Sequence, residues 1–359
     1  MIETRQQDQA ATTPRRVAAV GFVLVFLALG AARSAHGQLP SSSTGEAVPR
    51  DVREMYDRGL QFLASTQTEE GDWKGGGQTG PGVNGMAVLA LLASGEDPNF
   101  GLYSNHIRKA LRHIVNSQDA NTGFFGMSMY HHGFATLALA EAYGAVDERS
   151  LWAGGKATRS LGQSLEMAVR AAVTSQKRNA SNAWRYSPSG TDADTSVSGA
   201  VLVGLLAARN AGIEVPDESI DKAIAYFKSM TSKGGEVAYS GGLGGFGESM
   251  ARSSIATLAY AVARRKELDE YKATLNYIKE RIEQPSPMYL EYVRYYEAQA
   301  LFQGDLESWE KWNKLLVRQL KESQAPDGSI RGQFGPTIGT SLSLLSLALN
   351  YRFLPIYER

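Results

Sequence analysis

Residues 58–94 read RGLQFLASTQTEEGDWKGGGQTGPGVNGMAVLALLAS. Just upstream and within the first part, Met55, Leu60, Phe62 and Leu63 fall at helical spacing, which predicts an amphipathic helix. Gln67 closes that helix, Gly71 turns the chain, and Trp73 folds back onto it. Asn84 to Ala93 is small and apolar on every side, as expected of a helix buried all round. The unit is therefore an outer amphipathic helix, a pinned turn and an inner helix.

The rest of the chain repeats this unit. A second outer helix is predicted over His106–Gln118, with Gly123 and Phe125 in the turn and an inner helix over Gly133–Tyr143. Leu151 to Thr158, with Trp152, reads as an insertion. Leu161–Gln176 and Thr195–Asn210 form a third pair around Trp184. Ile220–Met230 and Ser249–Arg264 form a fourth, joined by a loop rich in glycine from Gly241 to Gly247. Leu268–Ile282 and Tyr289–Phe302 are the fifth pair, interrupted at Pro285 and Pro287, and Trp309–Gln324 with Gly339–Leu349 is the sixth. A period of about 50 residues marks a repeat architecture in which each unit needs neighbours to bury its inner helix. Six such pairs can close on themselves, so the fold expected is all-α, an (α/α)6 toroid over residues 51–359; an open solenoid is the alternative.

Composition narrows the function. The 359 residues carry 37 Lys plus Arg against 37 Asp plus Glu, which offers no global field for nucleic acid or anionic membranes. Cysteine is absent, which excludes disulfides, thiolate zinc ligands and cysteine nucleophiles. Residues 1–37 have the layout of a secretory signal: Arg15-Arg16, an apolar run from Val17 to Ala32, then small residues at Ala35 and Gly37. The expectation is export to the periplasm, cell envelope or extracellular space. Membrane contact arises only if that segment is kept as an anchor. Residues 38–50, with Ser41, Ser42, Ser43 and Pro49, read as a polar linker.

Arg58-Gly59, Phe62-Leu63, Gln67, Gly71 and Trp73 resemble, in order and spacing, the Gln–Trp repeat of the squalene cyclase and prenyltransferase-like superfamily. Gln118 with Gly123 and Gln324 with Gly328 are weaker copies, and Phe125 and Ile330 stand where tryptophan belongs. Gln176 with Trp184 keeps the ends of the motif but stretches its middle, and the fourth and fifth turns read as having lost it. The resemblance covers the chain after residue 50 and implies a toroid of prenyltransferase/squalene oxidase-type repeats. The motif itself is structural: a glutamine amide serves exposed backbone at a helix end, and an indole seals the joint.

Chemistry is expected where the inner-helix N-termini converge on one mouth, which their free N–H groups make electropositive. Asp192-Ala193-Asp194-Thr195 is the leading candidate. It resembles the Asp-x-Asp-Asp motif of squalene–hopene and related class II terpene cyclases. That resemblance implies a general acid role for Asp194 and a supporting one for Asp192. Thr195, in place of the last aspartate, departs from the pattern and weakens the carboxylate crowding that such an acid needs. The plainer reading makes Asp194 an N-cap and Asp192 a turn residue. His132 is a candidate acid–base residue or a satisfied structural histidine, and His131-His132 has no His-x-x-x-His partner, so no metal is expected. Tyr292 and Tyr296, with Tyr289, lie at helical spacing and either bind substrate or fill the core. Arg252 with Glu248 marks an anion site or a mutual pair, and Thr195 is a candidate substrate contact. No cofactor is expected.

Three functional classes follow. The first is an exported toroid that binds a hydrophobic or polar small molecule or another exported protein. The second is a terpene-cyclase-like isomerase, and the third a saccharide-active lyase or hydrolase. Protein prenyltransferases and complement-like thioester domains share the fold but need a cysteine, so both are excluded. A wide apolar cavity under Asp194 would favour the second class, and carboxylates facing each other across a groove the third. A filled centre, or Asp194 fully bonded to backbone, would favour the first.

Overall fold

A computed structural model describes residues 48–74, 77–153, 159–241, 245, 249–284, 288–351 and 354–355. The signal segment, nearly all of the linker and Glu248 lie outside these residues, as do parts of the turns at 242–248 and 285–287. The unit spanning 47–359 is all-helical among the described residues.

Its outer helices are α1 (Arg50–Thr66), α3 (Ser104–Ser117), α6 (Leu161–Arg178), α8 (Asp217–Met230), α10 (Asp269–Lys279) and α12 (Leu306–Ser323). Its inner helices are α2 (Pro81–Leu92), α4 (Met129–Ala142), α7 (Thr195–Asn210), α9 (Met250–Val262), α11 (Leu290–Gly304) and α13 (Pro336–Ala348); one short turn of helix, α5 (Glu148–Leu151), ends where the insertion begins, and residues 154–158 of the insertion lie outside the described residues. Inner helices pack in the order α2, α4, α7, α9, α11, α13, and α13 packs back onto α2. The ring is closed, an (α/α)6 toroid. The open solenoid does not occur.

Sequence dictates this layering directly. Every residue of α2 is buried, and so are most of those on α4, α7 and α13, whereas α1 buries only one face through Val52, Met55, Tyr56, Gly59, Leu60, Phe62 and Leu63. Glycines let inner backbones approach: a Cβ on Gly133 would overlap the backbone of Ala200 on α7. Several inner helices begin a turn earlier than hydrophobic periodicity indicates. Gly80-Pro81 and Gly335-Pro336 start α2 and α13, with proline in the first turn where its missing N–H costs nothing.

The turns carry the ring. Gln67 Nε2 donates to Gly71 O in its own turn (3.1 Å) and to His106 O on the next outer helix (3.0 Å). Gln118 and Gln176 each make the same pair of bonds, to Gly123 and Ser164 and to Asn182 and Ser219. Trp73 Nε1 and Trp184 Nε1 each donate to a carbonyl of the preceding outer helix, Leu63 and Ala172. Both indoles are fully buried, so their bonds are made in a dry joint.

The fourth turn corrects the sequence reading. Thr231, Gly235 and Val237 keep the spacing of Gln67, Gly71 and Trp73, and Ser232 N→Glu236 O with Gly235 N→Ser232 O repeats the backbone pattern of the first turn. Gly235 has φ +88° and, like Gly71, leaves no room for a Cβ against the next outer helix, here at Ala273 O. Only the polar and aromatic side chains have been replaced; the geometry persists.

Candidate functional site at the mouth of the ring

Asp194 caps α7, with its Oδ1 accepting from Val197 N at 2.8 Å. The side chain is wholly buried, and Oδ2 has no hydrogen-bond partner. Arg185 Nη1 stands 3.6 Å from that oxygen, and Arg185 Nε stands 3.7 Å from Asp192 Oδ2. One guanidinium thus serves both aspartates, the outer of which is 66% exposed at its side chain. Burial pushes the Asp194 pKa up, while the Val197 N–H and Arg185 draw it down.

Tyrosines surround this group. The Arg185 guanidinium lies 5.5 Å from the Tyr239 ring and 5.8 Å from the Tyr186 ring. Tyr226 reaches in from the last turn of α8, and its buried hydroxyl is unpartnered. Its pKa is raised, first by burial and then by the charge of Asp194. Backbone bonds fix the rim: Met129 N→Tyr186 O (2.8 Å), Asp194 N→Trp184 O (3.1 Å) and Thr195 N→Tyr239 O (3.0 Å). Opposite, Tyr289 stacks on Phe334 with centroids 5.5 Å apart and planes at 7°. Met127 and Tyr289 hold positive φ on this rim, a strain that side chains bear only where the surroundings impose it.

The floor is aromatic. Tyr130 on α4 meets Tyr292 on α11 at 5.9 Å, and Phe134 meets Tyr295 at 5.9 Å. Since α4 and α11 are three places apart in a ring of six, these contacts cross the central axis. Tyr296 extends the cluster, 4.9 Å from Tyr292 and 4.7 Å from Tyr295. The Tyr292 hydroxyl faces Tyr130, Ser196 and Tyr296.

The structure therefore gathers Asp194, Asp192 and Tyr292 at the mouth, with Tyr296 beneath. Three other candidates are held by backbone partners. His132 is fully buried between Phe124 and Phe125, 3.0 Å from Ala168 O through Nε2, and accepts from Phe125 N through Nδ1. It clamps the turn as Ser198 does at Trp184 and Thr340 at Ile330, rather than facing the axis. Arg252 donates to Val237 O at 2.8 Å and to Gly245 O at 3.0 Å. Thr195 Oγ1 donates to Ala238 O at 3.0 Å. Arg185, Tyr186 and Tyr239 were not singled out from sequence. Their signal is positional: they lie one or two residues after Trp184 and Val237, where each turn runs into the mouth.

A family model described as "Domain of unknown function (DUF6288)" matches residues 53–281. The chain belongs to the DUF6288 family. The DUF6288 match runs from α1 to just past α10 and so contains Asp192, Asp194 and Arg185. No curated protein matches the chain in sequence. Among solved structures, the GH76A α-1,6-mannanase of Salegentibacter sp. HEL1_6 is similar, with TM-score 0.61 and 10% identity over 83% of this chain and 98% of that one. The type II terpene cyclase MstE from Scytonema has TM-score 0.57 and 14% identity, over 83% and 97%. A protein from Actinoplanes follows at 0.51 and 16%, over 83% and 99%. At these identities the likeness is one of fold. For this DUF6288 chain the shared feature is the (α/α)6 toroid, and membership of the squalene cyclase superfamily is not shown.

Proposed function

We propose that this protein is a ligand-binding toroid whose mouth holds a polyhydroxylated ligand, a saccharide segment, against Tyr186, Tyr239 and the Asp194–Arg185 pair. The carrying observation is the Tyr130–Tyr292 contact across the axis, which floors the mouth with aromatic rings directly beneath the polar rim. An isoprenoid chain needs a deep apolar chamber below the acid, and that space is occupied by Tyr292, Tyr295, Tyr296 and Phe134. A sugar ring instead needs a flat aromatic face and a few directional polar groups. Asp194 Oδ2 and Arg185 Nη1, both buried and without hydrogen-bond partners, supply one acceptor and one donor.

Binding rather than hydrolysis follows from the carboxylates. Glycoside hydrolysis uses two that flank the scissile bond, whereas Asp192 and Asp194 stand on one loop and share one guanidinium. Support from the fold is limited to analogy: variants of the Salegentibacter mannanase inactivated at two aspartates hold α-1,6-mannotriose and α-1,6-mannotetrose. The secretory-signal layout of residues 1–37 supports a role outside the cytoplasm.

A second reading rests on Asp194 alone. Its burial-raised pKa and unpartnered Oδ2 suit a general acid, the role it has by resemblance to class II terpene cyclases. Titration with α-1,6-mannotriose and with geranylgeraniol, followed by intrinsic fluorescence, separates the two. The binding reading expects saturable quenching by the sugar, lost in Arg185→Ala. Conversion of the prenyl substrate by wild type and not by Asp194→Asn would replace it with the second reading.

A further inference from the structure

A cleft of about 420 Å³ opens between α11 and α12. Glu297 lines it, 7% exposed, with Oε2 accepting from Trp312 Nε1 at 3.0 Å. Arg294, one helical turn earlier on α11, donates through Nη2 to Gln319 Oε1 at 2.7 Å. Each charged group thus has a neutral partner. Among the described residues no ion pair within 4.0 Å joins Arg294 to Glu297, although they lie at i and i+3 on one helix face. Leu290 and Leu316 supply apolar wall beside them.

A buried carboxyl and a half-buried guanidinium face the same cleft, each hydrogen-bonded to a neutral side chain and close enough to feel the other's charge without a direct ion pair. They become complementary to a molecule that brings an ammonium to the one and a carboxylate to the other. The volume matches small-molecule sites, whose lower range is about 300 Å³. We infer that this cleft binds a free α-amino acid with an apolar side chain, its ammonium on Glu297, its carboxylate on Arg294 and its side chain against Leu290 and Leu316. The inference is independent of what the mouth binds.

Isothermal titration calorimetry of the full chain at neutral pH, with leucine, isovalerate and isoamylamine, tests it. Leucine should bind saturably, and each half-ligand at least about tenfold more weakly, the loss of one charge-assisted bond. Glu297→Gln should weaken leucine and isoamylamine while sparing isovalerate, and Arg294→Gln should do the reverse. Arg185→Ala should change none of these. Absence of leucine binding by wild type in the millimolar range would overturn the assignment, as would binding equal for leucine and either half-ligand. Because the half-ligand comparison uses wild type alone, the test holds even where a variant fails to fold.

Discussion

Gln324 Nε2 donates to the Met55 carbonyl at 2.9 Å, joining the last outer helix to the first across 269 positions of sequence. This is the bond that Gln67, Gln118 and Gln176 make to the next repeat, so the ring closes by the same chemistry that builds it. The seam is nevertheless weaker. His106, Ser164 and Ser219 each pair with the amide oxygen of their glutamine, whereas Met55 has no such group and Gln324 Oε1 is buried without a partner.

Removing the amide should therefore cost more inside the ring than at the seam. Gln176→Leu is expected to destabilise by roughly 2–4 kcal/mol, because it strands two carbonyls and the Ser219 hydroxyl. Gln324→Leu loses two bonds but relieves an orphaned oxygen, for roughly 1 kcal/mol. Urea unfolding of both variants gives the ranking, and a costlier seam would contradict it.

The fourth turn makes a separate prediction. Gly235→Ala combines a left-handed φ of +88° with overlap on the Ala273 carbonyl, so at least about 2 kcal/mol should be lost. Gly212→Ala also has positive φ but meets nothing within 4 Å, and should cost only about 1 kcal/mol. Equal losses at both sites in thermal or urea unfolding would show that the turn does not pack as described.

Asp194 does two jobs that substitution can separate. Asp194→Asn keeps an oxygen for Val197 N and so preserves the cap, while Asp194→Ala removes it and should cost roughly 1 kcal/mol more. Both remove the charge beside Arg185. Ligand binding at the mouth should fall similarly in the two, with stability falling mainly in the alanine variant. Parallel melting curves and titrations check this; retained binding in both would remove Asp194 from the site.

His132 sets a pH dependence. Burial lowers its pKa to about 4, from an ordinary value near 6.5, with the Ala168 carbonyl opposing. Between these values the unfolded chain binds the extra proton, so stability from this residue rises with pH across about 4 to 6.5 and is complete above it. The full effect is on the order of 3 kcal/mol. Urea midpoints measured across that range should flatten by this amount in His132→Asn relative to wild type. An unchanged slope would place the ring elsewhere than between Phe124, Phe125 and Ala168.

Much of the fold was legible because its signals are local. Gln67, Gly71 and Trp73 announce a joint within a few residues, and buried helices such as α2 declare themselves by lacking any polar face. Thr231 and Val237 hide the fourth joint because they lack the amide and indole that mark the others, while the constraint is carried by Gly235 and backbone bonds. At the mouth, Asp194 and Tyr292 were visible as a cap and a stripe. Arg185 and Tyr239 were not, since their proximity comes from two different turns meeting at the rim. His132 stays open between a cavity-facing and a structural reading for a related reason: adjacent histidines at a helix start point in different directions, and only packing against α6 decides which way His132 faces.

The central claim is that ligand sits on the tyrosine rim above a closed floor. A crystal structure of the chain soaked with α-1,6-mannotriose tests it most directly. A sugar ring is expected against Tyr186 and Tyr239, with a hydroxyl between Asp194 Oδ2 and Arg185 Nη1. Ligand lodged beneath the Tyr130 and Tyr292 rings, with that pair parted to admit it, would contradict the account.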